Sequence, residues 1–126
     1  MRFLILFKMN IVKLAKELYY WKVRIEQEVR CGNLANLPEL KLLDKSIAQL
    51  KRDYKSGQIL PKKAYPAAYR YYSKKFAGKT TMDKLWVLKI SRDWRIVYTV
   101  VGNEVDIVSF ILDSMNHTDY NRRFHF

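Results

Sequence analysis

His117, Tyr120, Arg122, Arg123 and His125 fall within nine residues of one another near the end of the chain, and Arg92 and Arg95 stand shortly before them. Three further cations, Lys74, Lys75 and Lys79, lie upstream. These residue types suit the cutting of RNA without a metal, in which the ribose 2′-hydroxyl attacks its neighbouring phosphate. That reaction needs one proton removed, another delivered, and the extra negative charge of a phosphorane stabilised. Histidine serves the proton transfers because it titrates near neutrality. Arginine serves the charged transition state, where fixed donors aimed at developing charge contribute most. Each residue also has a plain structural reading: Arg95 alternates with Ile96 on a strand and could point to solvent, His117 could cap a turn after "ILDSMN", and Phe124 and Phe126 could pin the tail to the core.

Other chemistries find less support. His117 and His125 are eight residues apart, Cys31 is the sole cysteine, and the nearby acids follow no calcium-loop pattern, so neither a metal nor a cofactor is expected. The four glycines are scattered and form no phosphate-cradling loop. Nothing singles out a serine or cysteine nucleophile.

The elements that must position the cluster are readable from periodicity. Ile11, Leu14, Leu18, Trp21, Ile25 and Val29 recur every three or four residues, which predicts a helix closed by Gly32 in a left-handed cap. Asn36 with Glu39 three residues on reads as a capping box, Pro38 fits the first turn, and Leu40, Leu43, Ile47, Leu50 and Tyr54 give a second stripe, with Gly57 as the breaker. "LWVLKI", "WRIVYTVV" and "EVDIVSFIL" are rich in aromatic and β-branched residues and read as strands, joined by a turn at 91–93 and a hairpin loop at Gly102 and Asn103. The expectation is a single α+β domain spanning 1–126, an N-terminal helical hairpin packed on one face of a small antiparallel β-sheet. The other face is left to carry a site.

Between the helices and the strands, Pro61 and Pro66 interrupt any long helix, although "AAYRYYSKKF" could form about two turns. Tyr65, Tyr69, Tyr71, Tyr72 and Phe76 alternate there with cations. Such rings can stack on bases while the cations hold phosphates, or they can pack onto the sheet edge.

With 24 Lys and Arg against 12 Asp and Glu, the chain carries a formal charge of +12. Nine basic residues between Lys51 and Lys79 are opposed by Asp53 alone. A polyanionic partner, nucleic acid or an acidic protein, is the natural complement of that field, and a solvated face is its plain reading. The apolar run from Phe3 to Phe7 is shorter than the roughly 7 to 15 residues of a signal peptide and far short of a membrane span of about 20. It is either an edge strand or a few residues ahead of a start at Met9. One cysteine permits no intrachain disulfide, and a reducing, cytoplasmic setting without membrane contact is expected.

"LWVLKISRDWRIVYTVVGNEVDIVSFILD" and "HTDYNRRF" resemble the RelE/ParE superfamily of toxins from toxin and antitoxin pairs. The resemblance is specific over residues 84–123, where an apolar strand leads into "WRIVY", a turn, another apolar strand and a terminal segment with His and Tyr. The "WRIVYT" and HxxY arrangement is also similar to an archaeal branch of such proteins. It implies a basic concave face held inactive by an acidic antitoxin. RelE-like members are mRNA interferases, metal-independent endoribonucleases that inhibit translation by cleaving mRNA on the ribosome. ParE-like members inhibit DNA gyrase without cleaving RNA. Carried over locally, Arg95 matches the strand arginine, and His117 with Tyr120 matches the terminal catalytic segment. Arg122 joins Arg95 as a phosphorane stabiliser, while Lys74, Lys75, Lys79, Arg92 and Arg123 form the nucleic-acid-binding patch. The leading expectation is thus a RelE-like endoribonuclease. The alternative is a non-catalytic binding module, either a gyrase inhibitor or a ribosome-binding or nucleic-acid-binding protein. The oligomeric state is left open by the sequence.

Overall fold

A computed structural model of the protein describes residues 9–61, 84–102 and 106–126. The described chain runs β1 (Met9–Leu14), α1 (Lys16–Arg30), α2 (Leu37–Arg52), β2 (Gln58–Ile59), β3 (Trp86–Ser91), β4 (Trp94–Gly102), β5 (Asp106–Asn116) and α3 (His117–Phe124). The strands form one sheet in the order β1-β5-β4-β3-β2. The fold is α+β with an N-terminal helical hairpin on the sheet, as the periodicity predicts.

One boundary differs from that reading. The stripe that begins at Ile11 is not helical from its start: residues 9–14 are a strand lying parallel to β5, with Val12 opposite Ser109 and Leu14 opposite Ile111. Ile11 and Val12 are a β-branched pair suited to a pleated surface, and a short apolar run satisfies either period until a partner strand decides. The chain turns at buried Ala15, whose N–H donates to the Ile111 carbonyl while its own carbonyl accepts from Tyr19. The remaining strand pairs are antiparallel, so the sheet is mixed rather than wholly antiparallel.

The two faces of the sheet bury different sets of side chains. Leu88, Ile90, Ile96, Tyr98 and Ile111 meet Leu43 and Leu50 of α2, with Leu18 and Trp21 of α1 packed alongside. Val87, Val97, Leu112 and Met115 face the other way and meet Tyr120 and Phe124 of α3. Burying each such side chain contributes about 1.5 to 3 kcal/mol. The face opposite the hairpin is therefore not bare, because α3 covers one end of it. Lys22 ties α1 to α2: its ammonium lies 2.9 Å from Glu26 and 3.6 Å from Asp44. Its pKa is raised, chiefly by the hydrogen bond to Glu26.

Helix ends follow local chemistry. Gly32, at φ +92°, follows the Cys31 cap of α1 in the left-handed region, as expected. Asn36 does take the N-cap of α2 and Pro38 its first turn, but the Asn36 side chain makes no capping hydrogen bond, so no capping box closes. The helix stops at Asp53, earlier than Gly57, because the Asp53 carboxylate accepts from the Lys55 N–H at 2.9 Å and starts a turn. Gly57 serves a different end. A Cβ there would lie 2.5 Å from the Val87 carbonyl oxygen and 2.6 Å from the Tyr98 hydroxyl. The close approach lets the Gly57 N–H donate to that hydroxyl at 2.9 Å, while the hydroxyl donates to the Tyr54 carbonyl at 2.9 Å.

Candidate functional site

Arg95 faces α3, not the helical hairpin. Alternation along β4 sends Ile96 and Tyr98 toward the hairpin and Val97 toward α3, and Arg95 pairs with Met115, which belongs to the α3 cluster. Its neighbour across β3 is Lys89, exposed on the same face. Two cations side by side repel, so the pair favours an anion placed over it. Lys89 was missed by the sequence reading. The two-residue Arg92-Asp93 turn alone would set Ile90 opposite Arg95; a bulge at Ile90 shifts the register by one and brings Lys89 there instead, which no local signal in the sequence reveals.

That turn holds both principal residues. Arg95 Nη1 donates to the carbonyls of Ser91, Arg92 and Trp94, each at 3.1 Å, which stakes the half-buried guanidinium against the backbone. The His117 N–H donates to the Asp93 carbonyl at 2.7 Å, and His117 Nδ1 lies 3.6 Å from the Asp93 carboxylate. Nδ1 is shielded from water and has no hydrogen-bond partner, while the side chain as a whole is 45% exposed. Nε2 is the ring nitrogen left to exchange protons with an incoming group. Asp93 is the second residue that the sequence reading passed over.

The terminal segment forms a helix because Asn116 caps it, its side chain accepting from the Asp119 N–H at 2.8 Å. His117 is thus the first helical residue rather than the cap. Tyr120 and Phe124 fall on the buried side, ring centroids 4.9 Å apart, and Phe126 stacks over them although its own side chain is exposed. Phe124 pins the tail to the core as expected, with Tyr120 as part of the pin, whereas Phe126 stays exposed beside them. Burial raises the Tyr120 pKa, and the nearby Arg95 charge partly opposes this. A phenol so placed holds its proton at neutral pH and suits hydrogen-bond donation better than base catalysis.

The other residues are spread around this centre. Arg123 donates to the Asp113 carboxylate at 2.7 Å. A bulge in β5 makes that possible: Val97 pairs with Asp113 but Tyr98 pairs with Ile111, so Leu112 is the extra residue and Asp113 turns to the α3 face. Arg122 is 78% exposed, 3.8 Å from Asp119, and no contact joins it to Arg95. Arg92 is exposed in the turn. Lys74, Lys75 and Lys79, and the tyrosines of the same stretch, lie outside the described residues. Among the described residues no group of His, Cys, Asp and Glu could hold a metal ion, and no helix is long and apolar enough to cross a membrane.

The arrangement offers a fixed guanidinium, an adjacent lysine, a buried phenol and a half-exposed imidazole at one end of the sheet. Guanidinium and ammonium groups are phosphate binders by type, and imidazole and phenol are proton donors by type. Comparison of the chain with protein-family models, with curated proteins and with solved structures returns no match.

Proposed function

We propose that the protein is a RelE-like toxin of a toxin and antitoxin pair, a metal-independent endoribonuclease acting on ribosome-associated mRNA. The observation that carries the reading is the anchoring of Arg95 and His117 on one turn, Ser91–Trp94, with Tyr120 under the Arg95 charge. In this mechanism Arg95, flanked by Lys89, stabilises the phosphorane. His117 Nε2 takes the 2′-hydroxyl proton as the 2′-oxygen–phosphorus bond forms, and Asp93 stabilises the imidazolium. As the phosphorus–5′-oxygen bond breaks, the imidazolium returns the proton to the 5′-oxygen, leaving a 2′,3′-cyclic phosphate and a 5′-hydroxyl. Tyr120 donates a hydrogen bond to the phosphate. Arg122, Arg123, Arg92 and the lysines of residues 74–79 hold the flanking phosphates. An acidic antitoxin would cover the same +12 chain by charge complementarity.

A second reading rests on how fully some of these groups are already engaged. Arg95 Nη1 is shared among three carbonyls, and Tyr120 is 6% exposed. Both suit a rigid binding surface, a gyrase inhibitor or a ribosome-binding module, as well as they suit a catalyst. Purified protein incubated with translating ribosomes, followed by primer extension, separates the two. New mRNA ends at A-site codons support the nuclease; their absence, together with gyrase inhibition, supports the alternative.

A further inference from the structure

The sheet face opposite Arg95 holds a cavity of about 250 Å³ lined by Leu18 and Trp21 of α1, Asn36 and Glu39 at the start of α2, and Trp94 and Ser114 of the sheet. Two indoles, a carboxylate and two neutral polar side chains are an unusual lining for a packing defect. The Trp94 ring is fixed, its Nε1–H donating to Ser114 Oγ at 2.7 Å. Glu39 Oε2 is shielded from water and has no hydrogen-bond partner. An acid in the first turn of a helix ordinarily accepts from the free amides there, but this oxygen receives no such bond. Among the described residues no cation pairs with Glu39 either. A carboxylate oxygen shielded from water and without a partner in the chain is costly, so it favours a donor that enters the cavity from outside.

From the cavity and its unpaired carboxylate we infer that Trp21, Trp94 and Glu39 form a binding site for a small organic cation, an alkylammonium or guanidinium group. Indole faces attract such cations through their quadrupole, and the carboxylate supplies the charge-assisted partner. The volume sets the size. Pockets for drug-sized ligands begin near about 300 Å³, so a cationic head on a short stem fits and a nucleotide does not. The site lies across the sheet from Arg95 and does not depend on the nuclease reading.

The chain carries three tryptophans, which supply the test and its control. The ¹⁵N-labelled full-length protein is titrated with n-butylammonium chloride at constant ionic strength, and the indole N–H resonances are followed. Trp21 and Trp94 are expected to shift saturably while Trp86 stays in place. Glu39→Gln should weaken binding by about tenfold or more, equivalent to about 1.4 kcal/mol, with the Trp86 resonance reporting an intact fold. Trp21→Leu, which keeps an apolar wall, should weaken it as well. 1-Butanol, the neutral analogue, should not saturate the site. Equal binding of butanol and butylammonium, wild-type affinity in Glu39→Gln, or no saturable shift would each overturn the proposal. An acetylated tripeptide with one lysine distinguishes the source: tighter binding than the free amine assigns the cation to a protein side chain, and weaker binding assigns it to a free amine.

Discussion

His117 and Arg95 take their positions from the backbone of one turn rather than from each other, so removing either side chain leaves the fold's hydrophobic clusters untouched. Arg95→Ala is expected to lower the cleavage rate by about 10² to 10³, the usual cost of losing a donor aimed at developing charge. His117→Ala should lower it by about 10² to 10⁴. Thermal melts of both variants should stay within a few degrees of wild type. Tyr98 behaves in the opposite way. It is fully buried, and Tyr98→Phe would strand the Gly57 N–H and the Tyr54 carbonyl, at a cost of about 1 to 3 kcal/mol seen in denaturant unfolding. Burial pushes the Tyr98 pKa from 10.0 up to about 12. Because the folded value is the higher one, its stabilisation is whole below pH 10 and is lost as the pH rises through 12. Tyr98→Phe should therefore be less sensitive to alkali than wild type between those limits, as read from melts at successive pH values.

At the level of elements, Gly57→Ala tests whether the loop before β2 must approach the sheet so closely. The added methyl meets backbone and the Tyr98 hydroxyl, and a loss of about 1 to 3 kcal/mol in denaturant unfolding is expected. Elements with strong local signals were legible in the sequence. Leu40, Leu43, Ile47 and Leu50 place α2 by spacing alone, and the alternating apolar residues of β4 identify a strand. What escaped was decided by pairing at a distance. β1 is a strand because β5 lies beside it, and Asp113 faces Arg123 because β5 gains one residue at Leu112. No local pattern encodes either. At the site, the composition of the terminal segment was readable, whereas the contributions of Lys89 and Asp93 needed the register of the β3–β4 hairpin.

For the whole molecule, a charge of +12 makes every polyanion a candidate partner, and salt dependence measures how much of the binding is electrostatic. On single-stranded RNA each phosphate neutralised contributes about 0.7 to the slope of log affinity against log salt. Lys89→Ala should reduce that slope by about this amount, measured by fluorescence anisotropy, while sparing the fold because Lys89 is exposed. An acidic partner protein would show the same salt sensitivity. The most direct measurement of the central claim maps mRNA ends by primer extension on translating ribosomes, with wild type beside the Arg95→Ala, His117→Ala double variant. New ends at A-site codons with wild type, lost in a folded double variant, are the expected result; undiminished cleavage by the double variant, or no cleavage by wild type, would contradict it.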